Sequence, residues 1–367
     1  MRYPIFLFLT IILFSCGGKE SKAPEFVTSE LTEFISDTLY LEKDEFTKNL
    51  PAGFTYLEER DSSFLYTWSE KRLLKYSYPK GKLISSTNFF AEGPDGIGSF
   101  ISGSLITEDG LFFISDQKNI THADFEGKVV DRFPLPSVPE ERLAVNFSTM
   151  NGNEMTYDVA SKVLVISDVP FILKEPNMSY QDWIWKLDTR TGKFEPVDFF
   201  YPDIYKDYYD DIELGKFSHT LVQNRHLISF PASDSLLVIA GDSSYWVDGS
   251  SSKVLTFEKG TTEEIGEFIV FHPNLESSRF KWTLWDPYQE KLLRYVDIQT
   301  KKSEEEKLTN ESSFIVLDGQ YRKVAELFFD NRKILPSGFA TPNGFYLKLA
   351  EQESDDREGY MRIKLDL

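Results

Sequence analysis

Cysteine is almost absent from this 367-residue chain, occurring once, at Cys16. A lone thiol forms no internal disulfide, so the folded part must be held by packing alone. Histidine is nearly as scarce, with His122, His219, His226 and His272 and no HExxH or HxH spacing among them. That pattern gives no metal site, because ligands must converge from one local framework. His219 and His226 are seven residues apart, an odd offset that would send them to opposite faces if one strand held both. No GxSxG element is present, which removes the usual serine-hydrolase signature. EGPDGIGS contains three glycines, but their spacing fits neither nucleotide fingerprint, and no Lys-Ser or Lys-Thr follows. Basic residues are also in deficit, 40 against 59 acidic, for a net charge of −19. Such a balance excludes nucleic acid and anionic lipid surfaces as partners by charge attraction.

What the chain does have begins at its first residues. Arg2 precedes an apolar run from Tyr3 to Phe14, and Ser15 stands directly before Cys16. The order of charge, apolar stretch and small residue is that of a secretory signal. Its apolar run falls short of the roughly 20 residues that span a bilayer. Leu13-Phe14-Ser15-Cys16 is similar to a lipobox, so residues 1–15 are expected to be a cleaved lipoprotein signal and Cys16 the lipidated first residue of the mature protein. Residues 16–25 are small and charged, a flexible tether, and residues 26–367 are expected to form the folded domain. Gly17 rather than Asp follows the cysteine, which favours sorting to the outer membrane, facing either the periplasm or the cell surface.

Aromatic residues are abundant, with 31 Phe, 18 Tyr and 6 Trp, and no long helical pattern accompanies them. This points to an all-β protein. A hairpin recurs along the chain: an apolar or aromatic strand, a tight polar turn, then a lysine opening a second strand. Lys82, Lys128, Lys193, Lys253 and Lys323 are the aligned lysines. Gly81, Gly127 and Gly192 supply positive φ in three turns, and Asp188, Asp248 and Asp318 start turns by bonding their own backbone. Short apolar strands precede most copies: Phe64 to Trp68, Leu111 to Ser115, Val163 to Ser167, Leu236 to Ala240 and Leu292 to Val296. A sixth copy, Gly344 to Leu349 and Gly359 to Asp366, stops one strand early. DTLYLEK, Asp37 to Lys43, alternates suitably to supply the missing strand from the N-terminal side. The expectation is a six-bladed β-propeller closed by an N-terminal strand pairing with the C-terminal blade, which removes the free sheet edge. Helix is expected only at Pro139 to Arg142 and in the acidic insertion Pro202 to Glu213.

The lipobox, the EGPDG loop at Glu92 to Gly96, the hairpin repeat and WDPYQEKLLRY at Trp285 to Tyr295 together resemble the TolB-like six-bladed β-propeller lipoproteins of Gram-negative bacteria, many of them filed under a domain of unknown function. The resemblance implies fold and location and brings no catalytic residue. No catalytic residue, metal or cofactor is assigned from the sequence itself either. Candidate ligand-contacting residues, chosen by their expected place at the propeller mouth, are Glu92, Asp95, Arg142, Asn146, His219, Trp285, Asp286, Tyr288 and Arg294. The resulting expectation is a monomeric binding or scaffolding propeller, attached to the membrane through its lipid and presenting loops to an envelope protein or glycan. The competing class is a glycan-acting hydrolase or lyase, which requires carboxylates at defined separations.

Overall fold

The computed structural model describes residues 26–137, 145–170, 181–208, 210–266, 268–300, 309–352 and 354–367. Strand accounts for about 54% and helix for about 4%, so the fold is all-β. Six antiparallel sheets follow one another along the chain as the blades of a propeller. The first comprises Thr55–Glu59, Ser62–Ser69, Arg72–Tyr78 and Leu83–Asn88. The second comprises Ile101–Thr107, Gly110–Ser115, Asn119–Ala123 and Val129–Pro134. In the third, two short inner pieces, Val145–Phe147 and Thr156–Asp158, share the neighbour Val163–Pro170, followed by Ile184–Asp188 and Lys193–Val197. The fourth holds Ser218–Val222, Arg225–Ser229, Ser235–Ala240 and Ser243–Asp248, and the fifth Arg279–Asp286, Lys291–Thr300, Thr309–Asp318 and Lys323–Phe329.

The sixth blade is built from both ends of the chain. Ile334–Thr341, Gly344–Leu349 and Arg357–Ile363 provide three strands, and Ile35–Glu42 closes it in antiparallel register, Leu39 opposite Tyr360 and Glu42 opposite Arg357. Just upstream, Val27–Glu30 runs parallel to Lys323–Phe329 as a fifth strand on the fifth blade. The N-terminal segment therefore ties the last two blades together before the first begins.

The period-two alternation of a strand explains why this arrangement is stable. Phe112 packs toward the third blade with Leu164 and Ile166, whereas its neighbour Phe113 packs toward the first with Tyr66 and Leu73. Leu292 faces the fourth blade and Leu293 the sixth. Every described apolar cluster spans a pair of neighbouring blades in this way, so no blade buries its faces alone. Each buried Leu or Phe contributes on the order of 1.5–3 kcal/mol.

Two expectations are corrected. In the fourth repeat the aligned hairpin is displaced by one strand: Ser243–Asp248 is the outermost strand and residues 250–260 form none. Arg225–Ser229 fills the second position, which pushes Leu236 to Ala240 into the third. The chain after Asp248 instead crosses to the fifth blade, where the Ser251 hydroxyl and the Ser252 N–H donate to the buried Glu326 carboxylate. Lys253 opens no strand and lies 5.0 Å from the Phe328 ring centre. The acidic insertion holds only a single 3-10 segment, Asp203–Tyr208, anchored by buried Tyr205, whose hydroxyl accepts the Ala232 N–H at 2.9 Å. Its acids are occupied locally, Asp210 by Lys259 and Asp211 by the N–H groups of Glu213, Leu214 and Gly260. The segment Pro139 to Arg142, the residues before Phe26 and Cys16 lie outside the described residues.

Candidate functional site

The most irregular element lies at the axis. In the third blade Phe147 pairs with Asp168 and Thr156 with Val165, so eight residues, 148–155, stand opposite only Ile166 and Ser167. The surplus chain leaves the sheet and enters the central channel. It turns through Met150–Gly152 and is fastened on three sides. Ser148 and Thr149 bond the Ser102 carbonyl of the second blade. Asn153 bridges His219 of the fourth blade and donates to the Phe217 carbonyl at 3.1 Å. Gly152, at φ +72°, lies so close to the fifth blade that a Cβ there would sit 2.1 Å from that of Trp282. Only glycine fits both that conformation and that approach.

Two adjoining cavities of about 370 and 190 Å³ share Thr149, Glu154 and Leu284 as lining. Six aromatic residues contribute to the lining of the larger one, the partly buried Trp68 and Trp285 and the buried Phe54, Tyr66, Phe339 and Phe345. Small hydroxyls, Thr55, Thr67, Ser104 and Thr149, supply its polarity. Among the described lining residues of both cavities, Glu154 is the one charged side chain. It is open to the cavity, and no described residue hydrogen-bonds or ion-pairs with its carboxylate. Its side chain is solvent-exposed within the channel, and desolvation by the protein around the channel raises its carboxyl above the ordinary range.

A second polar feature is fully enclosed. Ser167 Oγ lies 3.1 Å from His219 Nδ1, and His219 Nε2 lies 3.0 Å from His226 Nδ1. The histidines occupy adjacent strands joined by Gln223 and Asn224, both at positive φ, so the reversal puts them on one face after all. Burial drives both imidazoles toward the neutral form, His226 down to about 4. With exposures of 2%, 0% and 3% for Ser167, His219 and His226, the chain of bonds has no access for a substrate and serves as a polar link between the third and fourth blades.

A family model described as a domain of unknown function, DUF4221, matches residues 28–327. The chain belongs to the DUF4221 family. Its fold is similar to that of a DUF4221 member from Bacteroides vulgatus, with a TM-score of 0.71 at 16% identity over 90% of this chain and 97% of that one. It is also similar to a Bacteroides fragilis protein described as a candidate for export, with a TM-score of 0.55 at 9% identity over 92% and 99% of the two chains. At these identities the likeness establishes the fold. No curated protein matches the chain.

Within this DUF4221 propeller the residues singled out from the sequence are dispersed. Trp285 lines the larger cavity. Asp286, the last residue of its strand, is buried and accepts the N–H groups of Tyr288 and Gln289, capping the turn. Tyr288 is exposed and stands edge-on to Tyr56 at 6.0 Å, and partial burial, then Tyr56 and Glu58, pushes its hydroxyl up to about 12. Arg294 is fully buried between the fourth and fifth blades, 3.7 Å over the Phe280 ring. Its five N–H donors meet Ser229 Oγ and the carbonyls of Phe230, Ser233, Asp234 and Gly249. Glu92 and Asp95 are exposed, and Asp95 accepts the Val129 N–H at 3.2 Å, against the outer strand of the second blade. Asn146 lies in the short strand Val145–Phe147, and Arg142 falls outside the described residues. Sequence reasoning passed over Glu154 and Thr149. The signal for them was the MNGN stretch, Met150 to Asn153, which breaks the alternation inside what should be an inner strand.

Proposed function

We propose that this DUF4221 protein is a non-enzymatic binding propeller of the cell envelope, related to the TolB-like lipoproteins, tethered through Cys16 and receiving a small ligand in its axial channel. The observation that carries the reading is the Glu154 carboxylate, without a partner among the described residues, in a cavity lined by hydroxyls and aromatic residues where a chain excursion narrows the channel. Concave sites where a few polar groups converge beside aromatic residues are the usual form of small-molecule sites. Acid–base hydrolysis of glycans asks for a second carboxylate about 5–10 Å from the first. Glu154 stands without one in the described lining, so recognition fits the site better than bond cleavage. The signal, lipobox and tether support the envelope location.

The test is native mass spectrometry of the full chain incubated with small-molecule extracts of bacterial envelopes, beside Ser104→Trp, which fills the larger cavity. A bound species on the wild type that is lost from the variant is expected. Equal retention by both, or no bound species from any extract, overturns the channel as the site. For the anchor, mass spectrometry of the processed form should find a diacylglycerol-modified Cys16, and an unmodified thiol would contradict it.

A further inference from the structure

We infer that the channel ligand is a small organic ammonium ion, its nitrogen at the Glu154 carboxylate and its apolar body against the aromatic wall. This rests on the reading of the channel as a ligand site and adds the chemical class of what enters.

Charge is the first argument. Glu154 is solvent-exposed in the channel, is the one charged group in the described lining and has no partner among the described residues, so the ligand charge it attracts is positive. The lining offers none, since neither cavity has a described lysine, arginine or histidine in its wall. The surrounding chain, with a net charge of −19, raises the local concentration of cations and lowers that of anions.

The wall decides what kind of cation. Divalent metals take six or more oxygens, several of them from carboxylates. Here the other polar groups are isolated hydroxyls, and among the described residues no three His, Cys, Asp or Glu side chains come together as a metal set. Aromatic faces, by contrast, attract ammonium groups through their quadrupoles and pack against apolar bodies at the same time. Trp68 and Trp285, the two aromatic residues of the lining that are only partly buried, share the cavity with Glu154. A volume of about 370 Å³ suits a single-ring amine and excludes a polymer strand.

The experiment is isothermal titration of the full chain with phenethylammonium, 2-phenylethanol and 3-phenylpropionate, three probes of like shape carrying positive, zero and negative charge. Phenethylammonium is expected to bind at least tenfold tighter than the other two. Glu154→Gln, which keeps the shape and removes the charge, is expected to weaken phenethylammonium at least tenfold while leaving 2-phenylethanol unchanged. Phenylethanol binding as tightly as the ammonium, or Glu154→Gln holding its affinity, overturns the ammonium assignment and leaves the channel a site for another class. Absence of binding by all three probes also overturns it, while the extract experiment with Ser104→Trp judges the channel independently. Should Ser104→Trp fail to fold, the isosteric Glu154→Gln still separates the outcomes.

Discussion

The third and fifth blades use the same plan to opposite ends. The fifth has strands of eight, ten, ten and seven residues, an added parallel strand, and two fully buried charged side chains that are bonded across its borders, Arg294 toward the fourth blade and Glu326 toward the linker at Ser251 and Ser252. The third divides its inner strand into two three-residue pieces and sends the surplus into the channel, where Glu154 has no partner among the described residues. The difference teaches where stability and recognition reside: the regular blade binds its buried charges to its neighbours, and the interrupted one leaves a carboxylate open to the channel.

The largest effect is expected from breaking the regular side. Arg294→Ala would leave four carbonyls and a hydroxyl unmatched beneath Phe280 and should cost about 3–5 kcal/mol in chemical denaturation. Burial already pushes the guanidinium down to about 9, so the group is held by hydrogen bonds and ring stacking without a counter-ion in contact. Arg294→Met restores bulk over the ring and should lose less. Equal losses would assign the effect to hydrogen bonds alone.

The link between the third and fourth blades should respond to pH. Both imidazoles titrate lower in the folded protein than in the unfolded chain, so the unfolded state takes up protons first as the solution is acidified. The stabilisation is complete above about 6.5 and declines as pH falls toward about 4, with His226 alone worth about 3 kcal/mol. Urea titrations at a series of pH values, compared with His226→Gln, measure it. An unchanged pH profile in the variant would mean that other groups carry the dependence.

A smaller loss is expected in the excursion itself. Gly152→Ala introduces a Cβ against Trp282 at positive φ and should destabilise by about 1–3 kcal/mol. Because the excursion lines both cavities, the same substitution should also weaken ligand binding, which a scaffold change such as Arg294→Met should affect less.

Much of the ring was legible beforehand because its code is local. Turn glycines, alternating strands and the DTLYLEK closing segment each depend on a few neighbouring residues, and Ile35–Glu42 takes the place expected of it. The fourth repeat was misaligned because SSYWVD reads equally well as a third or a fourth strand, and only the presence of Arg225–Ser229 decides between them. The histidine pair was hidden for a related reason: its two-residue turn, Gln223-Asn224, was not read as a reversal. Glu154 was harder still. One acid among 59 is distinguished only by what segments of five blades, far apart in sequence, leave around it.

The central claim is that Glu154 serves a ligand and not the fold, and thermal unfolding of Glu154→Gln near neutral pH, without added ligand, tests it most directly. A carboxyl whose titration is shifted upward by desolvation makes the folded state less stable when ionised, so removing the charge should leave Tm equal to or above that of the wild type. A fall of several degrees would show that Glu154 holds the propeller together and would contradict the account.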